Sequence, residues 1–185
     1  NLNVITTRGT DKFVSLGGRT IISNTNNADL FVSIHCNSAS NKNANGVETF
    51  YYHDNSLATV IQDKLWNTGL YKSNRGVKKG NFHVIRENKA LSCLVELGFI
   101  NNYEESKMMA RNTEILASAI VDGILESLGM EVYDVKKIKI NLNGKIKEVN
   151  AINVDGNNFI KLQDIRDEKI SIGYDGIPII KVERK

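Results

Sequence analysis

Two apolar runs organise the order of hydrophobic and polar positions along this chain. The first is Leu30-Phe31-Val32-Ser33-Ile34-His35-Cys36-Asn37, and the second is Ser92-Cys93-Leu94-Val95-Glu96-Leu97-Gly98-Phe99-Ile100. Both are strand-length, rich in β-branched and aromatic residues, and bounded by Asn, Gly or Ser. That pattern predicts two buried strands of a sheet covered on both faces. Each run carries one polar group that is costly to bury, His35 in the first and Glu96 in the second, and a carboxylate among apolar neighbours needs a metal, a cation or a proton to offset lost solvation.

Around these runs, strand-like and helix-like segments alternate as in a layered α/β domain. Asn3 to Thr7 reads as a strand, Val14 to Asn24 as a short helix, and Gly46 to His53 as a further strand after the polar loop Ser38 to Asn45. Ser56 to Trp66 places Leu57, Val60, Ile61 and Leu65 on one helical face, with Asn55 or Ser56 as the N-cap. Gly69 to Lys89 is irregular and basic, with Val84-Ile85 as a short strand. Glu104 to Ala110 and Thr113 to Leu128 read as helices, the second stopped by Gly129.

Beyond Gly129 the period changes from helical to alternating. Ile138 to Leu142 and Ile146 to Val149 flank Asn143-Gly144, a strong hairpin signal, and Val154 to Leu162 repeats the strand, turn, strand arrangement. Ile170 to Ile172 and Ile177 to Val182 flank Asp175-Gly176 in the same way. The expected architecture is a three-layer α/β domain over residues 1–130, with a mostly parallel or mixed twisted sheet flanked by helices, and a small β-rich unit over 131–185.

Composition narrows the partners. A formal net charge of +3 is modest, and its Lys and Arg residues are dispersed rather than striped, which gives no support to nucleic-acid binding. No apolar stretch approaches the roughly 20 residues of a membrane span. Cys36 and Cys93 lie inside expected strands and read as buried free thiols. Cys36 follows His35 directly, so the two side chains leave a strand on opposite faces.

The order and spacing of several short words add a resemblance. They are Thr7-Arg8 with Asp11, Val14-Ser15-Leu16 with Arg19, Ser33-Ile34-His35 with Asn37, Gly46-Val47-Glu48-Thr49, Gly76-Val77 with Val84-Ile85-Arg86, and Leu94 to Asn101. From about Val4 to about Leu128 the chain resembles the zinc-dependent N-acetylmuramoyl-L-alanine amidases, which cut the amide between glycan and peptide in bacterial peptidoglycan. Family members begin with a strand that supplies a first zinc-binding histidine and a helix that supplies a glutamate ligand. Neither has a counterpart here, so the chain is expected to be a fragment or part of a longer polypeptide, with a complete Zn2+ site only in the presence of those two residues. The C-terminal unit resembles the small repeat at the N-terminus of copper amine oxidases, through Asp155-Gly156, Phe159 to Leu162 and Asp164-Ile165; no copper-binding cluster accompanies it.

The resemblance implies roles for particular residues. From the pattern alone His35 reads as a structural histidine bonded to a backbone carbonyl; the family match makes it a zinc ligand at the end of a central strand. Glu96 becomes the general base that takes a proton from water and returns it to the leaving amine, with a buried pair to Arg86 or Arg19 as the alternative. Glu48 either orients His35 or contacts substrate, or else pairs with an Arg or Lys. Asn37, His83 and Arg86 are expected around the substrate, Asn37 holding the loop after His35. Arg8, Asp11 and Arg19 read as an ion-pair frame around the first helix, and His53 as a solvated strand end. The implied activity is peptidoglycan hydrolysis by an autolysin or endolysin, extracellular, at the cell wall, or in a host cytoplasm before phage release. A non-catalytic wall-binding or regulatory fragment is the alternative.

Overall fold

A computed structural model describes residues 2–130, 135–142, 144–154, 157–160, 165, 170–175 and 177–182. The chain forms two compact units, Asn1–Glu131 and Val132–Lys185. In the first, helices α1 (Leu16–Thr25), α2 (Ser56–Trp66), α3 (His83–Arg86), α4 (Tyr103–Arg111) and α5 (Thr113–Ser127) surround strands β1 (Leu30–Asn37), β2 (Val47–Tyr51), β3 (Asn74–Lys79) and β4 (Leu91–Phe99). The strands form one mixed sheet in the order β1-β4-β2-β3. β4 runs parallel to β1 and antiparallel to β2, and β2 runs parallel to β3.

The two faces of this sheet are covered unequally. On one face Val47, Cys93 and Val95 pack with Leu57, Ile61 and Leu65 of α2 and with Leu116, Ala119 and Ile120 of α5. Gly123 allows α5 to approach α2 closely, because a Cβ there would come within 2.7 Å of an Ile61 side-chain carbon and 3.0 Å of its Cα. The other face carries a smaller cluster of Val84, Ile85 and Leu94, with Phe31, Phe50 and Tyr52 against it.

Local sequence accounts for most element ends. Ser15 caps α1 by accepting from the Gly18 N–H, and Asn102 caps α4 by accepting from the amides of Glu104 and Glu105. Asn55 precedes α2 without a side-chain cap bond; the Asp54 carboxylate accepts from the Ser56 amide instead. The β-bulge in the β1–β4 register falls between His35 and Asn37, opposite the stretch that contains Gly98. Gly98 has φ +145°, and a Cβ there would lie 3.1 Å from a Glu105 carboxylate oxygen.

Several expectations are corrected. Asn3 to Thr7 is not a strand: residues 2–13 hold no helix or strand, because no neighbouring strand among the described residues takes up their backbone groups. Among the described residues β1 stands at an edge of the sheet, where Ile34 is 54 % exposed and Cys36 is exposed, whereas Cys93 on β4 is fully buried. Val84-Ile85 belongs to the short helix α3, where adjacent residues can both reach the core. The basic stretch before it contains β3, whose lysines, glycine and half-exposed positions show no strand alternation because it pairs on one side only.

In the second unit, β5 (Val135–Leu142), β6 (Lys145–Val154) and β7 (Asn157–Ile160) form an antiparallel meander, and β8 (Ile170–Asp175) pairs with β9 (Ile177–Val182). The register Leu142↔Lys145 agrees with the expected Asn143-Gly144 turn. Asn143 itself and, within the second resemblance, Asp155, Gly156, Lys161, Leu162 and Asp164 lie outside the described residues.

Candidate active site

Strand register places the key residues in a row. His35 on β1 pairs with Glu96 on β4, Glu96 pairs with Glu48 on β2, and Glu48 pairs with Gly76 on β3. Register partners share a face, so the row crosses all four strands at steps of about 4.8 Å. It occupies the face with the smaller apolar cluster, since Leu94 and Glu96 on β4, and Phe50 and Glu48 on β2, are two residues apart.

The members of this row are held very differently. Glu48 is 3 % exposed and fully engaged: Oε1 accepts from Asn37 Nδ2 at 2.6 Å, and Oε2 receives Lys78 Nζ at 2.5 Å and Arg75 Nε at 3.1 Å. Glu96 has a buried Oε2 with no hydrogen-bond partner among the described residues. Burial, and then the negative charge of Glu48, push the Glu96 carboxyl up to about 7. A carboxyl poised there can both accept and return a proton near neutral pH.

His35 sits on the exposed side. Its Nε2 lies 2.9 Å from Ser33 Oγ, so the backbone-carbonyl partner of a structural histidine is not what holds it. Partial burial and the nearby Arg19 guanidinium lower its pKa and favour the neutral imidazole, the form that can donate to a metal. Cys36 points to the other face, 3.8 Å from Met109 Sδ.

The remaining sequence candidates are dispersed. Asn37 does hold the turn that follows His35, accepting from the Ser38 amide at 2.7 Å while donating to Glu48. Glu48 does not orient His35; it takes the alternative pairing with Arg and Lys. Arg86 bonds Glu87 and Asn81 and Arg19 bonds the Val14 carbonyl, so neither pairs with Glu96. No ion pair joins Arg8, Asp11 and Arg19 among the described residues, because Asp11 lies on an exposed loop. His53 bonds the Arg86 carbonyl, and His83 opens α3 beside Gly17 of α1.

One residue that sequence reasoning passed over fixes the site's frame. Glu105 on α4 is buried, and its carboxylate accepts from the Gly46 amide at 2.6 Å and the Phe99 amide at 2.7 Å. It thereby ties the entry of β2, two residues before Glu48, to the exit of β4, three residues after Glu96. The available signal was its place three residues after the N-cap Asn102, where an acidic residue favours a helix start.

A metal centre needs more donors than the row offers. Among the described residues no three His, Cys, Asp or Glu side chains are grouped to hold an ion, and both oxygens of Glu48 are already taken. His35 fits as one zinc donor, but the residues described do not make the three-ligand set of a catalytic zinc site.

His35 and Glu96 thus lie side by side on neighbouring strands of a mixed-sheet α/β domain. Residues 1–126 match the N-acetylmuramoyl-L-alanine amidase family model, and the chain belongs to that family. It is 38% identical over 122 residues to the probable cell wall amidase LytH of Staphylococcus aureus, a match covering 64% of this chain and 40% of that protein. The chain thus spans about two fifths of the curated relatives it matches. Among solved structures, the catalytic domain of CwlV, an N-acetylmuramoyl-L-alanine amidase from Bacillus (Paenibacillus) polymyxa var. colistinus, is 34% identical with a TM-score of 0.66, covering 70% of this chain and 74% of that one. The amidase AmiC2 of Nostoc punctiforme is 37% identical with a TM-score of 0.65, covering 68% of this chain and 72% of that one.

Proposed function

We propose that the protein carrying this chain hydrolyses the amide between N-acetylmuramic acid and L-alanine in bacterial peptidoglycan, outside the cell or at its wall. The observation that carries this reading is the register pair His35 and Glu96, with an unpartnered Glu96 oxygen and a carboxyl pushed up to about 7. In this account Glu96 Oε2 takes a proton from the attacking water and delivers it to the leaving alanine amine. Glu48, fixed by Asn37, Arg75 and Lys78, keeps a negative charge beside Glu96 that favours its proton-holding form. His35 would be one donor to a zinc ion. When bound, zinc would supply a polarised water of lowered pKa. The lysine-rich β5 and β6 suit contact with an anionic wall polymer, which makes residues 131–185 a wall-contact module.

That no three potential ligands are grouped among the described residues favours a second reading, a wall-binding or regulatory piece without activity of its own. Digestion of purified peptidoglycan by the native polypeptide, with and without chelator, separates the two through the release of new L-alanine amino groups. Glu96→Gln is expected to retain bound zinc and to lose about 10²- to 10⁴-fold in rate, while His35→Ala loses both. Near-normal turnover in Glu96→Gln would remove Glu96 from the role of base.

A further inference from the structure

Gln62 places a polar amide where α2 otherwise presents Leu57, Ile61 and Leu65 to the sheet, and it is only 2% exposed. It meets the face opposite Glu48, because successive strand residues point to opposite faces. Burying an amide is costly unless its polar atoms find partners. Those of Gln62 do: Oε1 accepts from Thr49 Oγ1 at 2.7 Å, and Nε2 donates to the Val47 carbonyl at 3.0 Å and to Asn74 Oδ1 at 2.7 Å. The Asn74 oxygen also accepts from the Gly76 amide at 2.9 Å. Val47 and Thr49 flank Glu48 on β2, while Asn74 and Gly76 flank Arg75 on β3, whose Nε lies 3.1 Å from Glu48 Oε2. The register moves from Val47↔Asn74 to Glu48↔Gly76, so Arg75 is an extra residue in β3, and Gly76 takes the φ of +76° that suits such a bulge. A bulge re-aims the side chain beside it, here Arg75 toward Glu48. One amide on the far side of the sheet therefore grips both neighbours of Glu48 and, through Asn74, the turn that presents Arg75 to it.

We propose that Gln62 is a positioning residue for the amidase site, fixing the Glu48–Arg75 pair through the sheet and with it the negative charge set beside Glu96. This rests on the amidase reading. Stability alone does not call for the network, because apolar residues of similar size at positions 49 and 62 would fill the same space at little net cost. A fully satisfied buried polar network instead selects one arrangement of the elements it joins. An apolar residue at position 62 gives the Asn74 oxygen no donor, and so leaves the turn at Arg75 held from one side only. The placement of charged groups around a reacting centre is sensitive to shifts of about 1 Å, which is the scale on which a loosened turn moves its side chain.

A double-mutant cycle in the native polypeptide tests this, with a soluble N-acetylmuramoyl-L-alanyl peptide as substrate. Gln62→Met keeps the side-chain length and removes its hydrogen bonds. It is expected to lower kcat about tenfold with KM within about twofold, and Gln62→Met combined with Glu48→Gln should be no slower than Glu48→Gln alone, since both changes act through one pair. Losses that multiply in the double variant, or an unchanged kcat in Gln62→Met, would overturn the proposal. A second readout needs no substrate. The Arg75 Nε–H NMR signal, assigned through Arg75→Lys, should move in Gln62→Met toward its position in Glu48→Gln; a wild-type signal there would also overturn the proposal. Should Gln62→Met fail to fold, Asn74→Ala takes its place, because Asn74 is exposed and its loss breaks the β3 arm alone. The same loss of kcat and the same signal change are expected, and wild-type values would again overturn the proposal. If the wild-type polypeptide releases no alanine, the amidase reading fails by itself, and the Arg75 signal still decides whether Gln62 holds the pair.

Discussion

The two flanks of β4 treat their polar residues in opposite ways. Toward β2 and β3 the buried carboxylates are answered: Glu48 has three donors, and Glu105 binds the backbone at both strand ends. Toward β1 no further strand follows among the described residues, Ile34 is half-exposed, and His35 has the Ser33 hydroxyl as its hydrogen-bond partner with the Arg19 guanidinium nearby. Glu96 lies on the seam, with one oxygen buried and unpaired. The paired flank costs stability to disturb and holds geometry. On the β1 side, the exposed positions Ile34, His35 and Cys36 can meet water, metal or substrate.

The largest expected effect therefore lies on the paired flank, at a residue that touches no reacting atom. Glu105→Ala leaves two buried amides without acceptors and is expected to cost about 3 to 5 kcal/mol in urea unfolding. A cost below about 1 kcal/mol would show that the two strand ends do not depend on this carboxylate. Glu48→Leu should cost less, about 2 kcal/mol, because Lys78 and Arg75 are partly exposed and can return to solvent while Asn37 loses its acceptor.

Glu96 gives a pH-dependent effect of opposite sign. In the unfolded chain its carboxyl ionises near pH 4.5, and in the folded chain only near 7, so between these values the folded state holds more protons. Its contribution thus weakens stability progressively as pH rises from about 4.5 to 7. Urea midpoints of wild type and Glu96→Gln at pH 5 and pH 8 test this: the variant should gain relative to wild type at pH 8. An unchanged difference between the two pH values would mean that Glu96 ionises normally. The smallest effect belongs to the β1 side, where Ser33→Ala, removing the hydroxyl that bonds His35, should change stability by less than about 0.5 kcal/mol.

What could be read from sequence divides along the same line. β4 was legible because its apolar run is buried on both faces, and a lone Glu96 within it stands out. His35 was legible as a residue but not in its setting, since the burial of β1 depends on a neighbour that a strand pattern does not reveal. β3 was missed because its basic residues answer Glu48 across the sheet rather than a core. Glu105 was missed because, in Tyr103-Glu104-Glu105, it reads as the solvated first turn of a helix; only the tertiary approach of Gly46 and Phe99 makes it a structural anion.

The central claim is that Glu96 is a poised carboxyl on the seam between these flanks, and its own titration tests that most directly. Carboxyl-carbon NMR of selectively labelled glutamate, assigned through Glu96→Gln, should show Glu96 titrating near pH 7, and nearer the ordinary range once Glu48→Gln removes the adjacent charge. A Glu96 midpoint near 4.5 in the wild-type chain would contradict the account.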